Sequence, residues 1–306
     1  MPDQRQNFIV TCHGWSASNW VAYALNRHPA IACGHSSAAI LAEDSGIFDA
    51  AGLKRNLGAL RRGYLQRQDR PMSEVHDDLA ARKPAPHIGT VHTYRLRDLP
   101  GQAASFGTAP GPLRTVNLIR HPLDLVVSGY GQFQDLFRID LKEFRWTLGK
   151  IVDQGLDIVE PLCDRYGIAP GDYDTVCFFG ACVVLGSLRL DLDAQAAIEA
   201  DSDSPWGYQG FVRTEDVTTR PTAFADLVGR ITGTPDLATP DYLDAVFRQG
   251  RINVHNRRAA RTTAQRWHDL QDWQRAGFRA FLTRFDLRPA YQRFGYDFDF
   301  LEGTDG

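Results

Sequence analysis

The sequence predicts an α/β protein: a parallel β-sheet of about four to five strands, flanked by helices and carrying helical insertions. Three observations predict it. Apolar runs of strand length recur at Phe8 to Cys12, Ala30 to Gly34, His87 to Val91 and Val116 to Ile119. The first and last lead through a short break into apolar residues at helical spacing: Trp20, Val21, Ala24 and Leu25, then Leu123, Val126, Val127 and Tyr130. Each break lies where a strand ends and a helix begins, the edge at which parallel sheets bind ligands.

The first break reads HGWSASN, His13 to Asn19. A strand, a loop of small residues and a helix present backbone N–H groups and a helix N-terminus to an anion. Ser16, Ser18 and Asn19 add hydroxyl and amide donors, although N-capping by Ser18 or Asn19 accounts for the same residues. The spacing G-x-x-x-x-G-K-[ST] is missing, so this is not a Walker A loop.

Ala30 to Gly34 follows a break at His28-Pro29 as the second strand. From Ile47 to Arg82 charges alternate with Leu53, Leu57, Leu60 and Tyr64, and Pro71 splits the segment into two helices. This polar insertion is expected over one edge of the site. His87 to Val91 is the third strand and ends at His92-Thr93-Tyr94. A helical turn is expected from Leu96 to Ser105, broken at Pro100-Gly101, and a Gly/Pro turn from Thr108 to Pro112.

The fourth strand ends at Arg120, and His121-Pro122 opens a helix in which the missing N–H of Pro122 is harmless. Ser128 lies nearly two turns further on. A guanidinium fork and a hydroxyl converging on one point make a good phosphate site. A strand-end arginine paired with a carboxylate explains Arg120 equally well.

Helices are then expected over Leu141 to Tyr166 and Asp172 to Leu190, the second buried on nearly all sides through its middle, VCFFGACVVLG. Phe211-Val212-Arg213 reads as a short strand with Thr214-Glu215-Asp216 as its turn or cap. Thr222 to Ile231 is amphipathic and ends near Gly233, a C-cap, and Asp241 to Phe247 is another short helix. Arg248, Arg251, Arg257, Arg258, Arg261 and Arg266 fall in a stretch with little apolar periodicity. It reads as a loop that folds over an anion, or as a solvated basic face. Trp267 to Phe285 forms a closing amphipathic helix, and Tyr291 to Phe300 an aromatic tail packed on the core.

Composition narrows the function. The 306 residues are 43% hydrophobic and 23% charged, ordinary for a globular protein. A net charge of −3 gives no basic field for nucleic acid, so any polyanion site must be local. No apolar run approaches about 18 residues, so no transmembrane segment is expected. The start MPDQRQNFIV lacks a signal-peptide pattern. The five cysteines are odd in number and sit mostly in apolar contexts, which predicts buried thiols in a reducing, cytoplasmic compartment. Cys177 and Cys182 lack a second ligand pair, so no metal site is expected.

Two phosphate-type turns at strand ends and a late basic loop, in this order, resemble the sulfotransferase family that uses 3′-phosphoadenylyl sulfate (PAPS). In that family a first motif, K/R-S-G-T-T-W, holds the 5′-phosphosulfate, and S-A-S-N-W, Ser16 to Trp20, takes its place here. Its second motif, an Arg with Ser eight residues later and often Pro two after the Arg, binds the 3′-phosphate. Arg120, Pro122 and Ser128 match that spacing in full. FVRTEDV, Phe211 to Val217, is similar to the family's V-R-Y-E-D-L, and RWHDLQDWQRAGF with the later FGY to its W…F…GY ending. The resemblance spans nearly the whole chain. It implies one domain over 1–306, with a P-loop NTPase-like three-layer α/β/α fold.

The resemblance also implies roles. Sulfuryl transfer needs a base for the attacking oxygen or nitrogen and donors for the leaving phosphate. Many members use the His of K-T-H at the third strand's end, so His92 in T-V-H-T-Y is expected to be the general base. A merely capped or solvated His is the plain alternative. Other members use a Glu, which makes His35, Glu43 and Asp44 rivals. Trp15, Ser16, Ala17, Ser18 and Asn19 would form the 5′-phosphosulfate loop, and Trp20 an adenine stack or a core aromatic. Arg120 and Ser128 would clamp the 3′-phosphate, with Arg257, Arg258 and Arg261 as a second clamp. Glu215, Asp216 and His121 read as structural.

Departures from the family pattern matter. Its basic residue before the first-motif Ser is Trp15 here, and His13 or a late arginine is expected to stand in. Ala17 replaces a loop glycine, which predicts an ordinary backbone conformation there. Thr214 replaces the Tyr of V-R-Y-E-D, and the late loop lacks the family's glycines. The expected reaction moves a sulfuryl group from PAPS, leaving PAP, to a hydroxyl or amine of a small molecule, glycan or lipid. Nucleic acid and metal are not expected, and the oligomeric state is open, a homodimer included. Two alternatives stand: a P-loop-type kinase using ATP, opposed by the missing Walker lysine, and a non-catalytic PAP- or PAPS-binding protein, motivated by Trp15.

Overall fold

The structure, a computed structural model, describes residues 5–35, 72–102, 113–248 and 261–302. The strands are β1 (Gln6–Cys12), β2 (Ile31–His35), β3 (His87–Val91), β4 (Leu113–Ile119) and β5 (Trp206–Arg213). The helices are α1 (Ser18–Asn26), α2 (Met72–Arg82), α3 (Leu99–Gln102), α4 (Pro122–Leu136), α5 (Leu141–Tyr166), α6 (Tyr173–Ala200), α7 (Thr214–Val217), α8 (Pro221–Thr232), α9 (Pro240–Phe247), α10 (Thr263–His268), α11 (Asp272–Arg284) and α12 (Leu287–Arg293). By its contacts the chain clusters into two compact units, Met1–Ile119 with Ala194–Arg257 and Arg120–Asp193 with Arg258–Gly306.

The first unit holds the sheet, in the order β2-β3-β1-β4-β5 with every pairing parallel. Successive residues of a strand point to opposite faces, and both faces are covered. Phe8, Val10 and Cys12 of β1 enter a core shared with α1, α8 and α9. Ile9 enters another, with Met72, Leu96, Leu99, Leu113, Ile198 and Trp206. Val75 and Leu79 of α2 pack on Ala32 and Ile88 of β2 and β3. This three-layer α/β arrangement explains why the central strands read as continuous apolar runs. The edge strand β5 is the exception. It is half-buried along most of its length, has Gly210 at φ 84, and slips register opposite Thr115 and Asn117 of β4. Only its last residues, FVR, carry a strand signal. The expected break at Pro100-Gly101 is absent: Pro100 takes the second position of α3, where an N–H has no helical partner anyway.

The second unit is helical. Asp140 caps α5 by accepting from the Lys142 and Glu143 amides, and Gly167 ends it in the left-handed region at φ 64. Gly155 on α5 lets the Phe281 ring approach so closely that a Cβ there would lie 2.6 Å from it. Phe178 and Phe179 of α6 pack on Trp273 of α11. α6 ends at Ala200 rather than Leu190, because (i, i+4) pairs, Arg189 with Asp193 and Gln195 with Glu199, carry its polar tail. Among the described residues α6 alone is long and apolar enough to cross a membrane, and 67% of that window is buried inside the protein. The expected loop up to Arg266 gives way at Thr263 to α10, whose start is a reciprocal Thr262–Gln265 capping box. The chain then breaks before α11 begins at Asp272, so the expected single helix from Trp267 is two.

Candidate functional site

Parallel register brings three strand ends to one level. Val10 of β1, Val91 of β3 and His35 of β2 are partners across the sheet. The segments after β1 and β3 therefore leave the sheet at one edge, beside the last residue of β2. The chain also leaves the adjacent strands β1 and β4 in opposite directions, toward β2 and toward β5, the place where open α/β sheets form a crevice.

The chain leaves β1 through His13 and turns sharply before α1. Trp15 and Ala17 both adopt left-handed backbone, at φ 68 and φ 52. The ordinary conformation expected at Ala17 is thus corrected. A left-handed residue with a Cβ is unfavourable by roughly 1–2 kcal/mol, so the surroundings must impose it. One such hold is visible: Thr214, the first residue after β5, donates its hydroxyl to the Ser16 carbonyl at 3.3 Å.

N-capping by Ser18 or Asn19, the plain alternative for these residues, is not what the turn shows. Ala17 occupies the N-cap position with no side-chain cap hydrogen bond, and the first turn holds no acidic residue. The first-turn amides and the positive end of the helix dipole carry no compensating carboxylate there. Ser16 is 1% exposed, and its Oγ has no hydrogen-bond partner. An unsatisfied buried hydroxyl is unfavourable by about 1–3 kcal/mol. An anion oxygen in this turn would satisfy both features at once.

Two imidazoles stand beside the loop. His92 follows β3 at φ 61, and its backbone N–H extends the ladder to the Val10 carbonyl at 3.0 Å. Its Nδ1 is 3.2 Å from the Cys12 carbonyl oxygen and 3.3 Å from Cys12 Sγ. Donation of Nδ1–H to that carbonyl puts the lone pair of the neutral ring on Nε2, the tautomer a general base needs. A Cβ on Gly14 would lie 4.0 Å from His92 Cε1, so ring and loop are neighbours. His35 stacks on His92 with centroids 5.6 Å apart and planes at 26°, and its Nε2 is 2.9 Å from Ser18 Oγ. His13 is buried at the end of β1. The sheet edge thus gathers His13, Ser16, Ser18, His35 and His92 in the first unit.

Other expected residues fall elsewhere. Trp20 is a core aromatic, 6% exposed and edge-on to Phe224 and Phe247 at 5.6 Å each. Asn19 is half-buried in the first turn of α1. Glu215 is half-buried in α7, and Asp216 is held by Arg213 at 2.7 and 3.1 Å and by Arg220 at 2.9 Å. The Arg213 hydrogen bonds pull the Asp216 carboxyl below its usual range.

In the second unit, Arg120 is half-buried and directly precedes the cap of α4, and Ser128 is half-buried on that helix. His121 is structural, as the sequence suggests. Its Nδ1 accepts from the Leu123 amide and its Nε2–H donates to the Asp297 carbonyl, each at 3.1 Å. Burial pushes its pKa down, keeping the ring neutral in this role. Asp124, buried on the same helix, accepts from Thr263 Oγ1 at 3.0 Å and forms an ion pair with Arg266, whose Nη1 lies 2.7 Å from Oδ1. Arg261 is exposed and pairs with Asp269, while in the first unit Arg248 pairs with Asp244 at 3.2 Å. These three late arginines therefore have carboxylate partners. Arg251, Arg257 and Arg258, with Glu43 and Asp44, lie outside the described residues.

Sequence reasoning missed two contributors. Thr214 reads in the sequence as part of a turn or cap and as a departure from a family tyrosine, and its contact with Ser16 links positions far apart in the chain. His35 entered only as a rival base, and its terminal place on a strand flanking β3 was the available signal. Among the described residues no cluster of His, Cys, Asp or Glu is arranged to hold a metal ion. A scan against protein-family models and a search of curated proteins found nothing that matches this chain.

Proposed function

We propose that the protein is a PAPS-dependent sulfotransferase that transfers a sulfuryl group to a hydroxyl or amine of a small molecule, glycan or lipid. One observation carries the reading: the β1–α1 turn combines an uncapped helix N-terminus with a fully buried, unpartnered Ser16 hydroxyl, and His92 stands beside it. Charge on the leaving phosphate would be met by the first-turn amides and by Ser16 and Ser18. His92 Nε2 would take the acceptor's proton as its oxygen or nitrogen attacks sulfur in line. The motif spacing of Arg120 and Ser128 supports a 3′-phosphate on the donor, which separates PAPS from ATP.

A second reading, a protein that binds PAP or PAPS without turnover, is favoured by Trp15, which stands where the family has a cation. Calorimetry with PAP, PAPS and ATP, with and without magnesium, tests the nucleotide. Magnesium-independent preference for PAP supports both readings, and preference for Mg-ATP sinks them. Turnover of PAPS against an acceptor panel then separates them.

A further inference from the structure

We propose that His35 is a positioning residue that turns the Ser18 hydroxyl proton toward a bound anion. This inference rests on the reading of the β1–α1 turn as an anion site, but not on the anion being PAPS. His35 ends β2, is 5% exposed, and holds its Nε2 2.9 Å from Ser18 Oγ. Ser18 opens α1 at the uncapped turn. A hydroxyl has one proton, and the oxygens of a sulfate or phosphate only accept. If Ser18 donated to His35, it would present lone pairs to the anion and repel it. If His35 Nε2–H donates to Ser18, the hydroxyl proton is left to point at the anion, and polarisation along the chain strengthens that bond. The anion therefore selects His35 with its proton on Nε2.

The neighbouring ring has the opposite requirement. His92 Nδ1 faces the Cys12 carbonyl, an acceptor that favours the proton on Nδ1. The two stacked imidazoles are thus held in opposite tautomers by different partners, one tied to the anion loop and one to the strand. Neither assignment can be read from the sequence, because Ser18 and His35 meet only through the crossover that brings β2 alongside β3.

The test uses the whole chain with inorganic pyrophosphate and PAP as separate probes. His35→Phe keeps a ring to stack on His92 but has no donor, and Ser18→Ala removes the hydroxyl. Each is expected to weaken pyrophosphate binding about tenfold, and the double variant no further, because the two act as one unit. His35→Gln, which retains an N–H at similar reach, is expected to keep most of the affinity. Ring ¹⁵N spectra of the pyrophosphate complex at neutral pH should show one histidine with its proton on Nε2 and its neighbour with it on Nδ1. Losses that add in the double variant, a His35→Gln as weak as His35→Phe, or no pyrophosphate affinity in the parent protein each overturn the inference. Coupled losses with pyrophosphate, together with no preference for PAP, sustain it and defeat the PAPS reading instead.

Discussion

The Nδ1 atom of His92 lies 3.2 Å from the backbone carbonyl oxygen of Cys12, a contact across the β1–β3 pair. A backbone carbonyl can only accept, so this contact is a hydrogen bond when the ring carries its proton on Nδ1, which leaves Nε2 as the basic nitrogen. The strand thereby offers the proposed base an acceptor for the Nδ1 tautomer.

Replacing that base should separate chemistry from binding. His92→Ala is expected to lower PAPS turnover on the order of 10²–10⁴-fold while PAP affinity stays close to the parent value. Single-turnover kinetics and calorimetry on the same preparation check this. Retained turnover would remove His92 from the role.

Ser16 gives opposite expectations for the free and the bound protein. Its unpartnered buried hydroxyl burdens the empty turn, so Ser16→Ala should raise the unfolding free energy by about 1 kcal/mol. The same change should weaken PAP binding by about tenfold. Urea unfolding without ligand and calorimetry with it read the two signs, and equal stability with unchanged affinity would mean the hydroxyl has no ligand to meet.

Arg120→Ala is expected to weaken PAP binding by about 2–3 kcal/mol while adenosine 5′-phosphosulfate, which lacks the 3′-phosphate, is bound much as before. Equal losses for both nucleotides would disconnect Arg120 from the 3′-phosphate.

His76 makes stability depend on pH. It is fully buried on α2 with neither ring nitrogen hydrogen-bonded. Burial, helped by Arg5 and opposed by Asp77, pushes its pKa down from 6.5 to about 4. Between those values the unfolded chain binds a proton that the native chain does not, so stability falls as pH drops from 6.5 toward 4, by up to roughly 3 kcal/mol. His76→Leu should flatten that slope and stabilise the protein more at pH 5 than at pH 7. Denaturant titrations at pH 7 and pH 5 measure it, and parallel pH slopes for parent and variant would exclude His76 as the source.

Gly89 tests the sheet. A Cβ there would fall 2.4 Å from the Phe8 carbonyl oxygen on the neighbouring strand, a backbone atom that cannot step aside. Gly89→Ala is expected to destabilise by several kcal/mol, at the upper end of single substitutions. A loss under about 1 kcal/mol would show that β1 and β3 are not packed as described.

The α/β fold class was legible wherever a segment is buried on a recognisable period. The strands β1 to β4 show as apolar runs because helices cover both faces of the sheet, and α5 shows because Asp140 and Gly167 mark its ends. β5 was only partly legible, since an edge strand need not be apolar along its length. The polar end of α6 was not legible, because charge pairs rather than burial sustain it.

For the site, the sequence by itself determined which chemistry is present: hydroxyls and small residues after β1, a histidine after β3, and an arginine and a serine at motif spacing after β4. Tertiary structure decided what each side chain does. It sent Trp20 into the core, paired Arg261 and Arg266 with carboxylates, bent Ala17 into the left-handed region, and brought His35 and Thr214 onto the loop. The reason is physical. Burial and periodicity are local and leave a trace in the sequence, whereas hydrogen-bond partners, tautomers and strained dihedrals are set by groups that meet only after the strands pair.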